Sequence, residues 1–238
     1  MALLCMLALS AACGNNRVVE GRAAAPHPVA APQAAITVQV PAQPFVPAQP
    51  FVPAPLVAPN LDLYAPPVSV PLQVKIPSIG VDASVLAVGL TGRDVMDAPQ
   101  GAPADPVWRE AFWYRGGGIP GASGTATIAG HLDDVLGRPA VFARLKDLRP
   151  GDAILILDTR VQQEMRFVVS ASDTYSEQQA TNPAILAQVY GPGPAAGTAP
   201  QPAPDGLAHL TLITCAGNYV HGAYDHHVVV YAQRVTIP

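Results

Sequence analysis

Positive charge is scarce in this chain. Lys75 and Lys146 are the only lysines and the arginines are scattered, so no stripe of cations exists to neutralise a phosphate backbone, and nucleic acid is excluded as a partner. Charged residues make up 13% of the 238 positions and the formal net charge is -4, a mild value that points to no strongly charged ligand. No apolar run reaches the ~18 residues that read as a bilayer-crossing helix. Cysteine is too rare for a disulfide framework, with three in all. Proline, by contrast, is abundant at 27 and gathers before residue 70 and over 183–204. Half the residues are apolar, which is material enough for one well-buried domain with appendages.

The opening MALLCMLALSAACGNN is a short apolar run ending in small residues and a cysteine, the shape of a signal-peptide core. It resembles a lipoprotein signal in which Ser10, Ala11 and Ala12 precede Cys13, which would become the lipidated first residue. Ser10 stands where such signals usually carry leucine, and no Lys or Arg precedes the run. An ordinary signal peptide or an uncleaved anchor is the other reading. In each the rest of the chain is exported; through a lipid or an anchor it stays on the membrane at the cell envelope. Residues 1–22 are accordingly a targeting segment. Cys5 and Cys13 belong to it, which leaves Cys215 with no intramolecular partner in a compartment where cysteines ordinarily pair.

From Ala23 to about Val70 the chain is Ala, Pro, Val and Gln, with a near-duplicate QPFVPAQPFVPAP from Gln43 to Pro55. Proline removes the amide donor and restricts its predecessor, so 23–70 is an extended spacer; the recurring Phe45 and Phe51 leave a proline-rich ligand as the alternative. Residues 71–238 carry the periodicity of a folded domain. LQVKIP alternates Leu72, Val74 and Ile76, and SVLAV, TATIAG, AILIL and MRFVV follow as short strands bounded by Gly, Pro or Asp. PAVFARLKDL, from Pro139, puts Val141, Phe142, Leu145 and Leu148 on one helical stripe and stops at Pro150 and Gly151, which predicts a helix; a second short one is expected over Pro183 to Tyr190. HLTLITC and HHVVVYAQRV read as two strands separated by roughly eleven loop residues. Many short strands with one or two short helices make a mainly β fold, a closed or nearly closed barrel.

On the strand ending at Cys215, Leu210, Leu212 and Thr214 share one face while Thr211, Ile213 and Cys215 share the other. The thiol therefore sits at a strand end beside a loop, where the backbone is fixed and a substrate has room. Thiols are mostly protonated at neutral pH, so a cysteine nucleophile needs a base or cation nearby. His131 fits that need: it follows the strand TATIAG, with Gly130 permitting close approach.

TATIAGH, the VFARLKDLRPGD run, and LTLITC before a VVVYA strand together resemble the bacterial sortases, cysteine transpeptidases that attach surface proteins to the cell envelope. IPSIGVDASV, VGL, MDAP, FWYRGGGIPGASG and PAILAQVYGP are similar, more narrowly, to class E and class F sortases; the likeness covers about 71 to 236. It implies a closed eight-stranded β-barrel, His131 and Cys215 as the catalytic pair, no cofactor, peptide sorting signals as substrates and an envelope amine as acceptor. It also implies an arginine early in the last strand, orienting substrate and stabilising the oxyanion. Here the chain departs: GAYDHHVVVYA puts His227 or Asp225 at that place, and Arg234 lies seven residues after His227, on the opposite face of a regular strand. His227, able to donate a hydrogen bond, is the favoured replacement; Arg115 or another loop arginine reaching in is a second route. Thr214 adds a hydroxyl or simply packs.

Two other readings stand beside this one. HLDD at 131–134 with His221, His226 and His227 offers zinc-type ligands, although adjacent His226 and His227 point to opposite faces and no HExxH pattern exists. The other is a sortase-like barrel that binds peptides with little or no turnover, its arginine lost. In either sortase-like case specificity would be written in the loops 97–122 and 176–205.

Overall fold

The structure, a computed structural model, describes residues 55–58 and 60–235. The targeting segment with Cys13, and most of the proline-rich spacer, lie outside the described residues. Eight strands form a closed barrel: β1 (Val68–Ile76), β2 (Val81–Val88), β3 (Ala111–Tyr114), β4 (Gly124–Ala129), β5 (Ala153–Asp158), β6 (Gln163–Ser176), β7 (Ala208–Val220) and β8 (Ala223–Arg234). Their order around the barrel is β1-β2-β3-β4-β7-β8-β6-β5, with β5 closing back on β1. The expected closed eight-stranded architecture is therefore the one observed.

Alternation builds it. In β1, Val70, Leu72, Val74 and Ile76 point inward and are buried, while the residues between them stay partly open. Ile154 and Ile156 of β5, Phe167 of β6, Leu210 and Leu212 of β7 and Val230 of β8 join them in one interior cluster. Pro71 has no amide to give the ladder, and the β1–β2 register shifts between Val70 and Gln73 around it. Two pairs, β2–β3 and β4–β7, are parallel and need long crossovers. Residues 89–110 make the first and 130–207 the second. Parts of both crossovers return to the barrel's outside, where Val88, Val107, Trp108 and Phe112 form one apolar cluster and Val189, Val229 and Tyr231 another.

Three expectations are corrected. The helix over PAVFARLKDL does not form, because the amides of its first turn are drawn to neighbouring chain: Val141 N–H donates to Trp108 O and Phe142 N–H to His131 O, each at 2.9 Å. The bonds that follow reach only three residues back, and Leu145–Asp147 is a single 3-10 turn. The apolar stripe still buries Phe142 and Leu145 completely. β3 escapes the periodicity because all four of its residues are buried, Ala111 and Trp113 inside the barrel and Phe112 and Tyr114 under cover outside. Between β7 and β8 the long loop shrinks to His221 and Gly222, both at positive φ (52° and 87°), as a two-residue hairpin turn of primed type demands. The polar residues flanking it pair as an exposed two-stranded arm with a bulge between Ala216 and Tyr219.

The described helices are α1 (Glu177–Ala180) and α2 (Pro183–Tyr190). α2 has the expected bounds: Asn182 caps it through Ala184 N–H, and Pro183 sits where no amide partner is needed. α1 opens with a capping box, Ser176 accepting from Gln179 N–H and Gln179 accepting from Ser176 N–H. Among the described residues no helix is long and apolar enough to cross a membrane.

Candidate active site

The β4–β7 ladder is parallel and unbroken from Gly124↔Ala208 to Ala129↔Ile213, and Gly130 N–H extends it by donating to Ile213 O at 3.0 Å. His131 follows the last pair of that ladder by two residues on one side, and Cys215 follows it by two on the other. On the other side Cys215 pairs directly with His227 of β8, and residues opposite one another in an antiparallel pair share a face. Cys215 thus faces His227 across β7 and β8, and His131 stands just past the end of the neighbouring β4. All three line a single cleft of about 590 Å³.

Gly130 makes the turn out of β4 possible. A Cβ there would lie 2.5 Å from Cδ2 of Phe142 and 2.7 Å from Cγ1 of Val141, so only a residue without one lets the 139–150 segment close beneath the histidine. The His131 ring is held by Trp108, 4.7 Å between centroids, and by Phe112 edge-on at 5.2 Å. Its Nε2 lies 2.8 Å from the carbonyl oxygen of Pro99. A carbonyl can only accept, so Nε2 carries the hydrogen and the neutral ring keeps its lone pair on Nδ1.

Cys215 is a half-buried free thiol on the outer face of β7. Burial pushes its pKa up, and the carboxylates of Asp133 and Glu177 push it further in the same direction. Asp133 accepts a 2.5 Å hydrogen bond from the Tyr224 hydroxyl, and chiefly through that bond Tyr224 is pushed up to about 12. Asp134 is committed elsewhere, to the Arg138 guanidinium at 2.6 Å and to the amides of Leu136 and Arg138. Thr214 faces the barrel interior, buried, its hydroxyl without a hydrogen-bond partner, and does not border the cleft.

His227 lies beside the sulfur with Nδ1 3.5 Å from Oε1 of Glu177; that nitrogen is buried and makes no hydrogen bond. Among the described residues no arginine or lysine lines the cleft. Arg115 does not reach it: its guanidinium donates to the carbonyls of Asp62 (2.7 Å), Leu63 (3.0 Å), Ala65 (2.5 Å), Pro66 (3.3 Å) and Ala87 (3.3 Å). Arg234 is at the far end of β8, opposite Phe167, donating to Gly121 O at 2.6 Å. The metal ligands do not gather either. His226 pairs with Asp225 at 2.7 Å, and among the described residues no group of three or more His, Cys, Asp and Glu side chains is arranged to hold an ion.

The cleft contains groups that sequence reasoning did not assign to it. Glu177 is one; the SEQQ capping box at 176–179 would have marked a helix start with this glutamate first. Trp108, Tyr224 and the Pro99 carbonyl carried no signal, and Asp133 was legible only as a metal-type carboxylate. Glu177 also borders a larger cavity of about 940 Å³, walled by apolar residues such as Leu63, Leu90, Val95, Met96, Leu186 and Tyr190.

A search of the curated proteins finds no match. Among solved structures, sortase A from Corynebacterium diphtheriae is similar at 19% identity and a TM-score of 0.46, covering 70% of this chain and 61% of that one. The present chain therefore spans about three fifths of that protein's length. Sortase C-1 from Actinomyces oris is similar at 19% identity and a TM-score of 0.45, with 70% and 73% covered. A lid mutant of the Corynebacterium enzyme gives 18% and 0.48, with 77% and 85% covered. The assignment rests on none of these but on the Sortase domain family, whose model matches residues 74–235 and so spans well over half of the sequence. With a match of that extent laid over the closed barrel, the chain belongs to the sortase family.

Proposed function

We propose that this protein is a cysteine transpeptidase of the class E or F type, acting on a Leu-Pro-x-Thr-Gly-like sorting signal at the cell envelope. The single observation behind the proposal is that His131, just past the end of β4, and the β7–β8 pair Cys215 and His227 line one cleft. In the first half-reaction Cys215 Sγ forms a bond to the threonine carbonyl carbon, the peptide C–N bond breaks, and His131 passes the proton taken from the thiol to the leaving glycine amine. In the second, an envelope amine attacks the thioester, the C–S bond breaks, and the proton lost by that amine returns to the sulfur; water in its place gives hydrolysis. His227 donates to the oxyanion that forms in each half. The larger apolar cavity beyond Glu177 suits the leucine and proline of the signal. Export through residues 1–22, with lipid on Cys13 or an uncleaved anchor, holds the enzyme at the membrane surface.

The test is to incubate the protein with a Leu-Pro-x-Thr-Gly-type peptide library and identify adducts on Cys215 by mass spectrometry. A covalent acyl adduct that is lost in C215A and depleted in H131A supports the reading. Peptide retained without any adduct favours the second reading, a sortase-like binding domain, which the lack of an arginine in the cleft recommends.

A further inference from the structure

His227 differs from an arginine in one chemical respect. Guanidinium donates hydrogen bonds at every working pH, whereas an imidazole donates from both nitrogens only when charged, and from one when neutral. The environment of His227 decides which one. Its Cα partner on β7 is Cys215 and on β6 is Tyr175, whose hydroxyl is already engaged with Asp173 and with Tyr231, each at 3.3 Å. Across the cleft stand His131, held by the Pro99 carbonyl, and Asp133, held by Tyr224. His226 and Asp225 satisfy each other. That leaves Glu177, first residue of α1, whose Oε1 is 3.5 Å from Nδ1 of His227. Nδ1 is buried and has no hydrogen-bond partner, so a hydrogen on it has one carboxylate to face and a lone pair on it has nothing.

We propose that Glu177 is a positioning residue: it keeps the hydrogen of His227 on Nδ1, so that Nε2 bears a hydrogen for a substrate oxygen only in the imidazolium form. This rests on the role given above to His227 as the group that meets the oxyanion. Its consequence is a transpeptidase with a charge-gated oxyanion donor. In the neutral ring Nε2 presents a lone pair, which repels an oxyanion, so donation belongs to the charged ring alone. An arginine would show no such gate. Glu177 lies where the Cys215 cleft meets the apolar cavity, so the carboxylate that sets the tautomer also borders the path proposed for the peptide.

The ring state is read without any substrate, from nitrogen-15 correlation spectra of the full chain labelled in its histidines, taken in alkaline solution. Resonances are assigned by H227Q and H131Q. Wild type is expected to show His227 with the hydrogen on Nδ1, and E177Q to return it to the Nε2–H form that free imidazole prefers. Nε2–H in wild type, or a His227 spectrum that E177Q leaves unchanged, overturns the proposal. Kinetics with a fluorogenic Leu-Pro-x-Thr-Gly-type peptide give the second readout. E177Q gives the neutral ring an Nε2 hydrogen and is expected to raise kcat about three- to tenfold in alkaline solution with KM little changed, E177D to leave kcat near the wild-type value, and H227R to abolish the effect of E177Q. An E177Q effect of the same size in the H227R background means that Glu177 acts on the sulfur directly, and refutes the assignment. If wild type cleaves no such peptide, the functional reading fails while the spectra still decide the Glu177–His227 pairing.

Discussion

Cys215 is kept a thiol by its surroundings, burial first and the two carboxylates of Asp133 and Glu177 after it. Its thiolate is therefore scarce at neutral pH, and alkylation by iodoacetamide is expected to run slower than for a free thiol and to climb through the alkaline range. D133N removes one of the opposing charges while its amide still accepts from Tyr224. At a fixed pH of about 8 we expect it to raise the alkylation rate about three- to tenfold; an unchanged rate would show that Asp133 does not act on the sulfur. The sequence singles out Cys215 and His131 because each residue type suits the proposed chemistry and each closes an apolar strand run. Their electrostatic company was not. Asp133 follows His131 closely in sequence, but Glu177 is distant from Cys215 along the chain, and nothing in a string of letters fixes its approach.

At the scale of elements, α1 is a four-residue helix that owes its start to Ser176 and presents Glu177 from its first turn. S176A is expected to cost about 1 kcal/mol, the usual worth of an N-cap, measured as a lower urea midpoint and as faster hydrogen exchange at the Gln179 amide. Because Glu177 would no longer be held, the same change should reproduce part of the E177Q phenotype. The hairpin of β7 and β8 teaches the complementary lesson. Gly217, Asn218, His221, Gly222 and Asp225 look like loop, and local preference alone favours that reading. Cross-strand pairing from His209 onward propagates past the bulge and overrides it, which puts His227 opposite Cys215 instead of leaving it near a loop's exit. The PAVFARLKDL segment erred the other way: its helical spacing was real, and hydrogen bonds to Trp108 and His131 from elsewhere in the chain replaced the helix's own.

Across the whole molecule the barrel is stitched to the segment before it by Arg115. Five carbonyls, four of them between Asp62 and Pro66, converge on this one guanidinium, and Tyr64 adds a 2.6 Å bond to Asp94. R115A should cost about 2–4 kcal/mol, more than a lone exposed ion pair, because charge-assisted bonds to backbone are lost together. Limited proteolysis should then cut between 61 and 66 well before the barrel opens; resistance equal to wild type would refute this role for Arg115. The barrel's apolar alternation, the helix over Pro183–Tyr190, and a lone thiol and a histidine that each close an apolar strand run follow from local sequence, since period-two burial and residue chemistry are written locally. Tertiary structure alone settles that Arg115 is spent on the segment before the barrel, that among the described residues no arginine enters the cleft, and that Glu177 and His227 meet there. Those outcomes depend on the parallel β4–β7 register and on where a crossover of nearly eighty residues, 130–207, returns to the barrel, distances in space that sequence separation does not encode.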